Sequence, residues 1–391
     1  MAPVRTVVVV LAGGAGGRLE LLTDHRAKPA VPYGGSYRLI DVPLSNALHS
    51  GLDDVWVVQQ FHPVSLEDHL SNGRPWDLDR TTGGLLLLHP AQGTDKEGWH
   101  TGTADALWRQ SDLLREYDPE VVVVVSADAV YRLDYESLVQ EHRGSDAALT
   151  MVTTEVAPDD AGRYGVVQVD GDGRVTDYAY KPDDPEGNLI SNEVFVFDTD
   201  VLVDLLESLA AEAGEDGLED LGDALLPRLV QAGRVREHRF DGYWRDLGTV
   251  ESYWEAHMEL LADSPPFDPE DPAWPLRTHG RRQGPARVAD GARVARSVLG
   301  AGAHVAGTVE RSVLAGGALV EAGAEVRDSV LLPGAIVRSG AVVERAILDD
   351  GVEVGADARV GGPGSTALVG RRSVVPAGSS VEPGGRYPAD E

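Results

Sequence analysis

The 391-residue sequence contains no cysteine. Disulfides and thiolate metal sites are thereby excluded, while the redox compartment is left open. Lysine is almost absent: Lys28, Lys96 and Lys181 stand alone, every other basic side chain being arginine. A chain that uses arginine nearly everywhere keeps lysine where a compact, flexible ammonium is needed. The settings Ala27-Lys28-Pro29 and Tyr180-Lys181-Pro182 mark two of the three. Positive charge is scarce overall, with 34 Lys and Arg against 64 Asp and Glu and a net charge of −30. Such a balance argues against a nucleic-acid partner, which needs a basic excess, and reads as a solvated, self-repelling surface. No apolar run approaches the roughly 18 residues of a membrane span. The N-terminus lacks a cationic region followed by an apolar segment and a cleavage site. The expectation is a cytoplasmic protein with no membrane partner.

What is present begins at Val7-Val-Val-Val-Leu-Ala-Gly-Gly-Ala-Gly-Gly-Arg-Leu19. A short, wholly apolar run bounded by glycine fits a strand buried on both faces of a parallel sheet. Leu11 and Ala12 lead into Gly13, Gly14, Gly16 and Gly17, whose backbone can take positive φ and approach a ligand closely. Consecutive N–H groups in such a turn cradle phosphate oxygens, and Arg18 adds a fixed charge. The spacing is neither GxGxxG nor GxxxxGK[ST], so neither a dinucleotide fold nor a P-loop is supported.

Prolines hold Leu22–Pro32 extended, which places Arg26 and Lys28 on a loop. Asp54–Gln60 reads as the next strand, and residues 71–98 as a long mobile loop containing Pro90-Ala-Gln92. Gly102-Thr103-Ala104-Asp-Ala106 opens an amphipathic helix. Val121–Val125 is a second apolar strand running into Ser126-Ala-Asp128, and a carboxylate at that end of a parallel strand sits where open α/β sheets bind ligands. The Asp170-Gly-Asp-Gly173 turn makes Gly165–Val169 and Val175–Tyr180 a hairpin. Asp246, in Tyr243-Trp-Arg-Asp-Leu-Gly-Thr249, could cap the following helix or ligate a metal; the Trp-Arg-Asp cluster beside a glycine favours the ligand.

A proline-rich stretch at 263–285 reads as a linker, dividing a first domain at 1–262 from a second at 286–391. Beyond it aromatics vanish until Tyr387, and Ser297-Val-Leu recurs as Ser312-Val-Leu, Ser329-Val-Leu and Ala346-Ile-Leu, at spacings of 15, 17 and 17. Six-residue units such as Gly334-Ala-Ile-Val-Arg-Ser339 are the repeat of a parallel β-helix, three per coil. Coils bury their apolar faces only against neighbours. Hexapeptide acyltransferases usually need a histidine as general base, and His304 is the single histidine of the repeats.

Leu11-Ala-Gly-Gly, Arg18-Leu, Arg26-Ala-Lys-Pro-Ala-Val31, Tyr37-Arg-Leu-Ile-Asp41, Leu44-Ser-Asn46, Gly102-Thr-Ala-Asp105 and Tyr243–Thr249, together with the repeats, resemble the bacterial glucose-1-phosphate adenylyltransferase (ADP-glucose pyrophosphorylase) family. The resemblance implies a doubly wound, Rossmann-like nucleotidyltransferase domain with a mixed sheet, then a left-handed parallel β-helix. The implied reaction joins ATP and glucose 1-phosphate into ADP-glucose with release of pyrophosphate. Implied too are Mg²⁺ held by Asp128 and Asp246, catalytic Arg18 and Lys28, and a homo-oligomer, tetramer or dimer. Nucleotide contacts would come from the glycine loop, Gln60, Gln92 and Gly102-Thr103-Ala104. His100, Gly165, Tyr180, Lys181, Ser191, Glu193 and Trp244 would face the sugar phosphate, with Lys181 orienting it for in-line attack.

The sequence departs from the family pattern on the sugar side. Glu-Lys-Pro becomes Tyr180-Lys181-Pro182, Ser-Met-Gly becomes Ser191-Asn192-Glu193, Gly-Asp-His becomes Ala127-Asp128-Ala129, and an effector-region lysine falls at His25. Two further readings therefore stand beside the first. One is the same chemistry on another sugar or a cyclitol 1-phosphate of the valienol type, with ATP or GTP. The other is a non-catalytic regulatory subunit, which should lose its phosphate and metal residues first.

Overall fold

The computed structural model describes residues 4–93, 96–214, 217–280 and 283–388. Nine strands form the first sheet: β1 (Thr6–Ala12), β2 (Asp54–Gln59), β3 (Gly84–Leu88), β4 (Val121–Ser126), β5 (Leu149–Glu155), β6 (Gly165–Val169), β7 (Val175–Tyr180), β8 (Leu189–Asp198) and β9 (Val235–Arg239). In β1, Val8, Val10 and Ala12 enter one apolar cluster while Val7 and Val9 enter another. β4 divides the same way, Val121, Val123 and Val125 against Val122 and Val124. Strands with both faces covered show no polar alternation, which is why these two read as unbroken valine.

The order is β7-β6-β8-β4-β1-β2-β3, with β5 also on β8 and β9 beyond it. β1, β2, β3 and β4 are mutually parallel, while β8 runs antiparallel to β4, β5 and β6, so the sheet is mixed. The carboxyl ends of β1, β2 and β4 thus share one edge, and the antiparallel β8 brings Ser191 to that edge from the other direction. β8 also carries a bulge: Ser191 pairs with Thr153 but Phe195 with Met151. Residues 71–98 are not a continuous loop. Gly84–Leu88 pairs with β2, an apolar run too short to be told from a loop hydrophobe by pattern alone. Lys28 opens a three-residue 3₁₀ turn, Lys28–Ala30.

The proline-rich segment is docked along the first domain. Phe267 and Leu276 are buried, the Trp274 indole N–H donates to Asn46 Oδ1 (3.0 Å), and Trp76 donates to the Arg277 carbonyl (3.0 Å). Before it, the helix Val250–Glu259 carries buried His257. Its Nδ1 faces the Tyr253 carbonyl at 2.8 Å and its Nε2 faces the Gly34 N–H at 3.2 Å, a pairing that requires the neutral ring.

From Arg287 the chain winds through three parallel six-stranded sheets, consistent with a left-handed β-helix. Val305, Val320, Val337, Val354 and Val375 stack in one column, and Val309, Val326, Val343 and Val360 in the next. The recurrent serine has a mechanical task. Ser312 N–H donates to Ser297 Oγ (3.2 Å), Ser329 N–H to Ser312 Oγ (3.1 Å) and Ala346 N–H to Ser329 Oγ (3.2 Å). Each hydroxyl donates in turn to the carbonyl two residues back. The residue before each rung (Arg296, Arg311, Asp328, Arg345) turns the corner with φ of 45°, 45°, 46° and 44°.

The outward residues Val330, Ile347 and Leu368 join the first domain's apolar cluster, so the two units share one core. Buried Arg26 pairs with Asp349 at 2.6 Å, and the Trp254 indole N–H donates to the Asp328 carbonyl at 2.7 Å. Among the described residues, no helix is long and apolar enough to cross a membrane.

Candidate active site

A cleft of about 650 Å³ opens at the carboxyl edge of β1, β2 and β4. One wall is the glycine loop. Only Gly16 is conformationally bound to be glycine: its φ is 73°, and a Cβ there would lie 2.8 Å from Thr23 Cγ2 and 3.1 Å from Lys28 Cβ. Gly14 and Gly17 have nothing within 4 Å of that position and face the open cleft, leaving space against the backbone for a ligand.

The two carboxylates are brought together by a small ribbon in which Trp244–Asp246 pairs antiparallel with Ala129–Tyr131, Asp246 opposite Ala129. The Leu247 N–H donates to the Asp128 carbonyl at 3.1 Å, which locks that register. Lys28 Nζ sits between the carboxylates, 2.7 Å from Asp128 Oδ2 and 3.8 Å from Asp246 Oδ1. Arg18 reaches the same spot: a Cβ built on Gly248 would touch both Asp246 Oδ2 (2.6 Å) and Arg18 Nη2 (3.3 Å). Burial pushes the Asp128 carboxyl up, but the Lys28 ammonium and the Ser126 hydroxyl (2.5 Å from Oδ1) outweigh it and hold the group below its usual range. Asp246 is pushed up by burial and by the charge of Asp128. Burial alone would lower Lys28, yet the two aspartates raise it.

Two like charges so placed call for a cation. Among the described residues, no three His, Asp or Glu side chains could hold a metal ion by themselves. Mg²⁺ suits that arrangement, since it takes one or two carboxylates and completes its shell with water and phosphate oxygens. The donor set is hard oxygen, and the ammonium of Lys28 lies against both carboxylates.

The opposite wall comes from β8 and the β6–β7 hairpin. Gly165, Tyr180, Lys181, Ser191, Glu193 and Trp244 all line the cleft. Tyr180 is committed: its hydroxyl donates to Asp220 Oδ2 (2.7 Å), and Lys181 Nζ lies 2.5 Å from that hydroxyl and 4.3 Å from the ring centroid. Glu193 lies within the β8 bulge, with φ of 61°. It is open to the cleft yet ringed by protein, and burial together with Asp128 and Asp246 raises its pKa to about 7. Asn192 and Trp244 carry buried side-chain polar atoms without a partner among the described residues.

At the third side, Gln60 is not free. Its amide nitrogen donates to the His100 carbonyl (3.1 Å), and its oxygen accepts from the His100 N–H. The His100 ring has both nitrogens buried without a partner among the described residues, and burial lowers its pKa. Thr103 donates N–H and hydroxyl to Asp220, closing the helix start Gly102-Thr103 against the 217–222 segment. Ala104 is buried one step behind the wall. Gln92 is exposed and stands outside the main cleft, in a neighbouring hollow of about 270 Å³ with Gln60 and Trp99. Among the lysines, Lys96 is structural, held by Glu207 (2.7 Å) and Asp112 (3.0 Å).

Sequence reasoning missed Arg163. It ends the 3₁₀ helix Pro158–Arg163 and places Nη2 3.3 Å from Asp246 Oδ2. Its one visible signal is adjacency to Tyr164-Gly165.

Residues 7–263 match the family model described as nucleotidyl transferase, and residues 285–367 match a GlmU-like, C-terminal hexapeptide model. The chain is 42% identical over 324 residues to the glucose-1-phosphate adenylyltransferase of Thermotoga maritima, covering 82% of this chain and 76% of that one. It is 43% identical over 299 residues to the protein of that name from Thermomicrobium roseum (76% and 69% covered). A third, from Lachnospira eligens, is 38% identical over 317 residues (81% and 74% covered).

Proposed function

The chain belongs to the glucose-1-phosphate adenylyltransferase family of nucleotidyl transferases, and from that premise we propose that it joins ATP and glucose 1-phosphate into ADP-glucose and pyrophosphate. The observation that carries this reading is the meeting of Arg18, Lys28, Asp128 and Asp246 at one end of the cleft, with Lys181 on the facing wall. A phosphate oxygen of the sugar 1-phosphate attacks the α-phosphorus of the triphosphate, and pyrophosphate leaves.

Glycine-loop N–H groups and Arg18 cradle the triphosphate, and Lys28 offsets charge on the leaving pyrophosphate. Lys181 holds the acceptor's phosphate and aims it in line. Asp128 and Asp246 would hold Mg²⁺, which would supply charge neutralisation for the phosphates. Residues 1–262 carry this chemistry in our reading, and 286–391 assemble copies of the chain.

A second reading keeps the chemistry and changes the acceptor to another sugar or a cyclitol 1-phosphate. The sugar-side wall favours it: the Tyr180 hydroxyl is committed to Asp220, and Glu193 stands in a left-handed conformation. Sites built to hydrogen-bond a hydroxyl discriminate strongly against analogues lacking it.

The test is a pyrophosphate-release screen with Mg²⁺, crossing five nucleoside triphosphates with glucose 1-phosphate and other 1-phosphates, a cyclitol included. Turnover of ATP with glucose 1-phosphate supports the first reading. Turnover only with another acceptor or base supports the second, and silence from a folded protein overturns both. Lys181→Ala should raise the KM for the acceptor by about tenfold or more; an unchanged KM would remove Lys181 from the acceptor pocket.

A further inference from the structure

Arg163 has the geometry of a cation on loan. Its Nη1 lies 3.2 Å from Asp160 Oδ1, its Nη2 3.3 Å from Asp246 Oδ2, and its guanidinium 5.5 Å from the Tyr164 ring centroid. The side chain is 33% exposed and lines the cleft. It shares a rim with Lys181, because the Lys181 N–H donates to the Tyr164 carbonyl at 3.0 Å. Arg18 approaches the same carboxylate from the glycine loop.

Both oxygens of Asp246 are therefore met by side-chain cations, Lys28 at Oδ1 and Arg163 at Oδ2. A divalent ion shared by Asp128 and Asp246 needs at least one of them. Lys28 is the poorer candidate to leave, being 9% exposed and bonded to Asp128 at 2.7 Å. Arg163 is more open, its 3.3 Å contact is longer than the 2.7 Å bond that ties Lys28 to Asp128, and Asp160 with the Tyr164 ring gives it a pivot.

We propose that Arg163 guards Asp246 until a divalent cation takes that carboxylate, and that the freed guanidinium then binds the acceptor's phosphate dianion beside Lys181. The inference rests on the nucleotidyl-transfer reading and adds a linkage to it. A cation at the aspartates strengthens acceptor binding, and by reciprocity the acceptor strengthens cation binding. Arginine suits the second task because its fork matches two phosphate oxygens at once.

The binding measurements use the full chain without nucleotide, and the KM values come from turnover with ATP. Mn²⁺ binding is followed by loss of the free-ion electron paramagnetic resonance signal in wild type, Arg163→Gln, Arg163→Lys and Asp246→Asn. Removing a partly exposed competitor should tighten Mn²⁺ about three- to fivefold in Arg163→Gln, with Arg163→Lys near wild type. Calorimetric titration with glucose 1-phosphate should show Mg²⁺ strengthening its binding in wild type and doing so much less in Arg163→Gln. The acceptor KM should rise in that variant while the nucleotide KM holds.

Unchanged or weaker Mn²⁺ binding in Arg163→Gln overturns the proposal, as does an unchanged acceptor KM. If Asp246→Asn loses Mn²⁺ while Arg163→Gln behaves as wild type, this inference alone fails. If wild type binds no Mn²⁺, or Asp246→Asn binds it equally well, the two-carboxylate site fails and the inference with it. Melting temperatures establish that each variant is folded, and Arg163→Lys carries the test if the glutamine variant is not.

Discussion

The serine rungs of the β-helix and the paired aspartates of the cleft are both placed by strand register, to opposite ends. In the helix, register stacks like residues so that each hydroxyl accepts the next coil's N–H. In the ribbon 129–131/244–246, register sets one carboxylate beside another and a buried lysine between them. The first arrangement gives each of the three serine hydroxyls both a donor and an acceptor. The second holds two carboxylates against one lysine, burial and the charge of Asp128 pushing the Asp246 carboxyl up, and Asn192, His100 and Trp244 add buried polar atoms that have no partner among the described residues. Regularity serves stability in one place, and its deliberate breach serves binding in the other.

The sharpest way to test that contrast is to remove a carboxylate. Asp128→Asn and Asp246→Asn should each lower kcat by about a thousandfold or more. Asp246→Asn should nonetheless melt no lower than wild type, because like-charge repulsion is relieved. Wild-type-like turnover in either variant would remove the pair from the chemistry.

Acid probes a group buried without charge. His257 has its pKa lowered to about 4 by burial, the Tyr253 carbonyl pulling the other way, against 6.5 in the unfolded chain. Between those values the unfolded chain takes up a proton that the folded one refuses. Stability present above pH 6.5 is therefore lost as pH falls toward 4, by on the order of 3 kcal/mol. Urea midpoints across that range should fall in wild type and flatten in His257→Gln; parallel curves would contradict the assignment.

Glycine substitutions ask which part of the phosphate loop is fixed. Gly16→Ala should cost about 1–3 kcal/mol from its positive φ and the contact with Thr23. Gly17→Ala should leave the melting temperature unchanged. Equal losses would show that the loop is constrained throughout. Smallest is the loss from Ser329→Ala, which leaves the buried Ala346 N–H unpaired at about 1–2 kcal/mol. Denaturant titration should detect it while kcat is unaffected.

The same contrast explains what could be read in advance. Valine runs, the glycine loop and the repeats announce themselves, since each depends on neighbours in sequence or on periodic burial. Lys28, Asp128 and Asp246 each carried a local signal (a rare lysine, a carboxylate at a strand end, a Trp-Arg-Asp cluster), but their meeting, across 100 and 118 residues of chain, was legible only through family resemblance. Arg163 escaped because its meaning lies in a contact with Asp246, 83 residues on. Gln60 looked like a free amide at a strand end, and its commitment to the His100 backbone emerges only when β2 and the 98–102 segment meet. Gly84–Leu88 was hidden by the polar residues around it, and the linker's docking by its prolines.

The column Val330, Ile347 and Leu368 has a further consequence. Its side chains belong to the apolar cluster of the other unit, and Arg26, two residues before Lys28, is anchored on Asp349 from behind. Neither half owns the whole of its interior. Heating should therefore give a single calorimetric peak whose van't Hoff and measured enthalpies agree, the repeats and the catalytic sheet melting as one cooperative block.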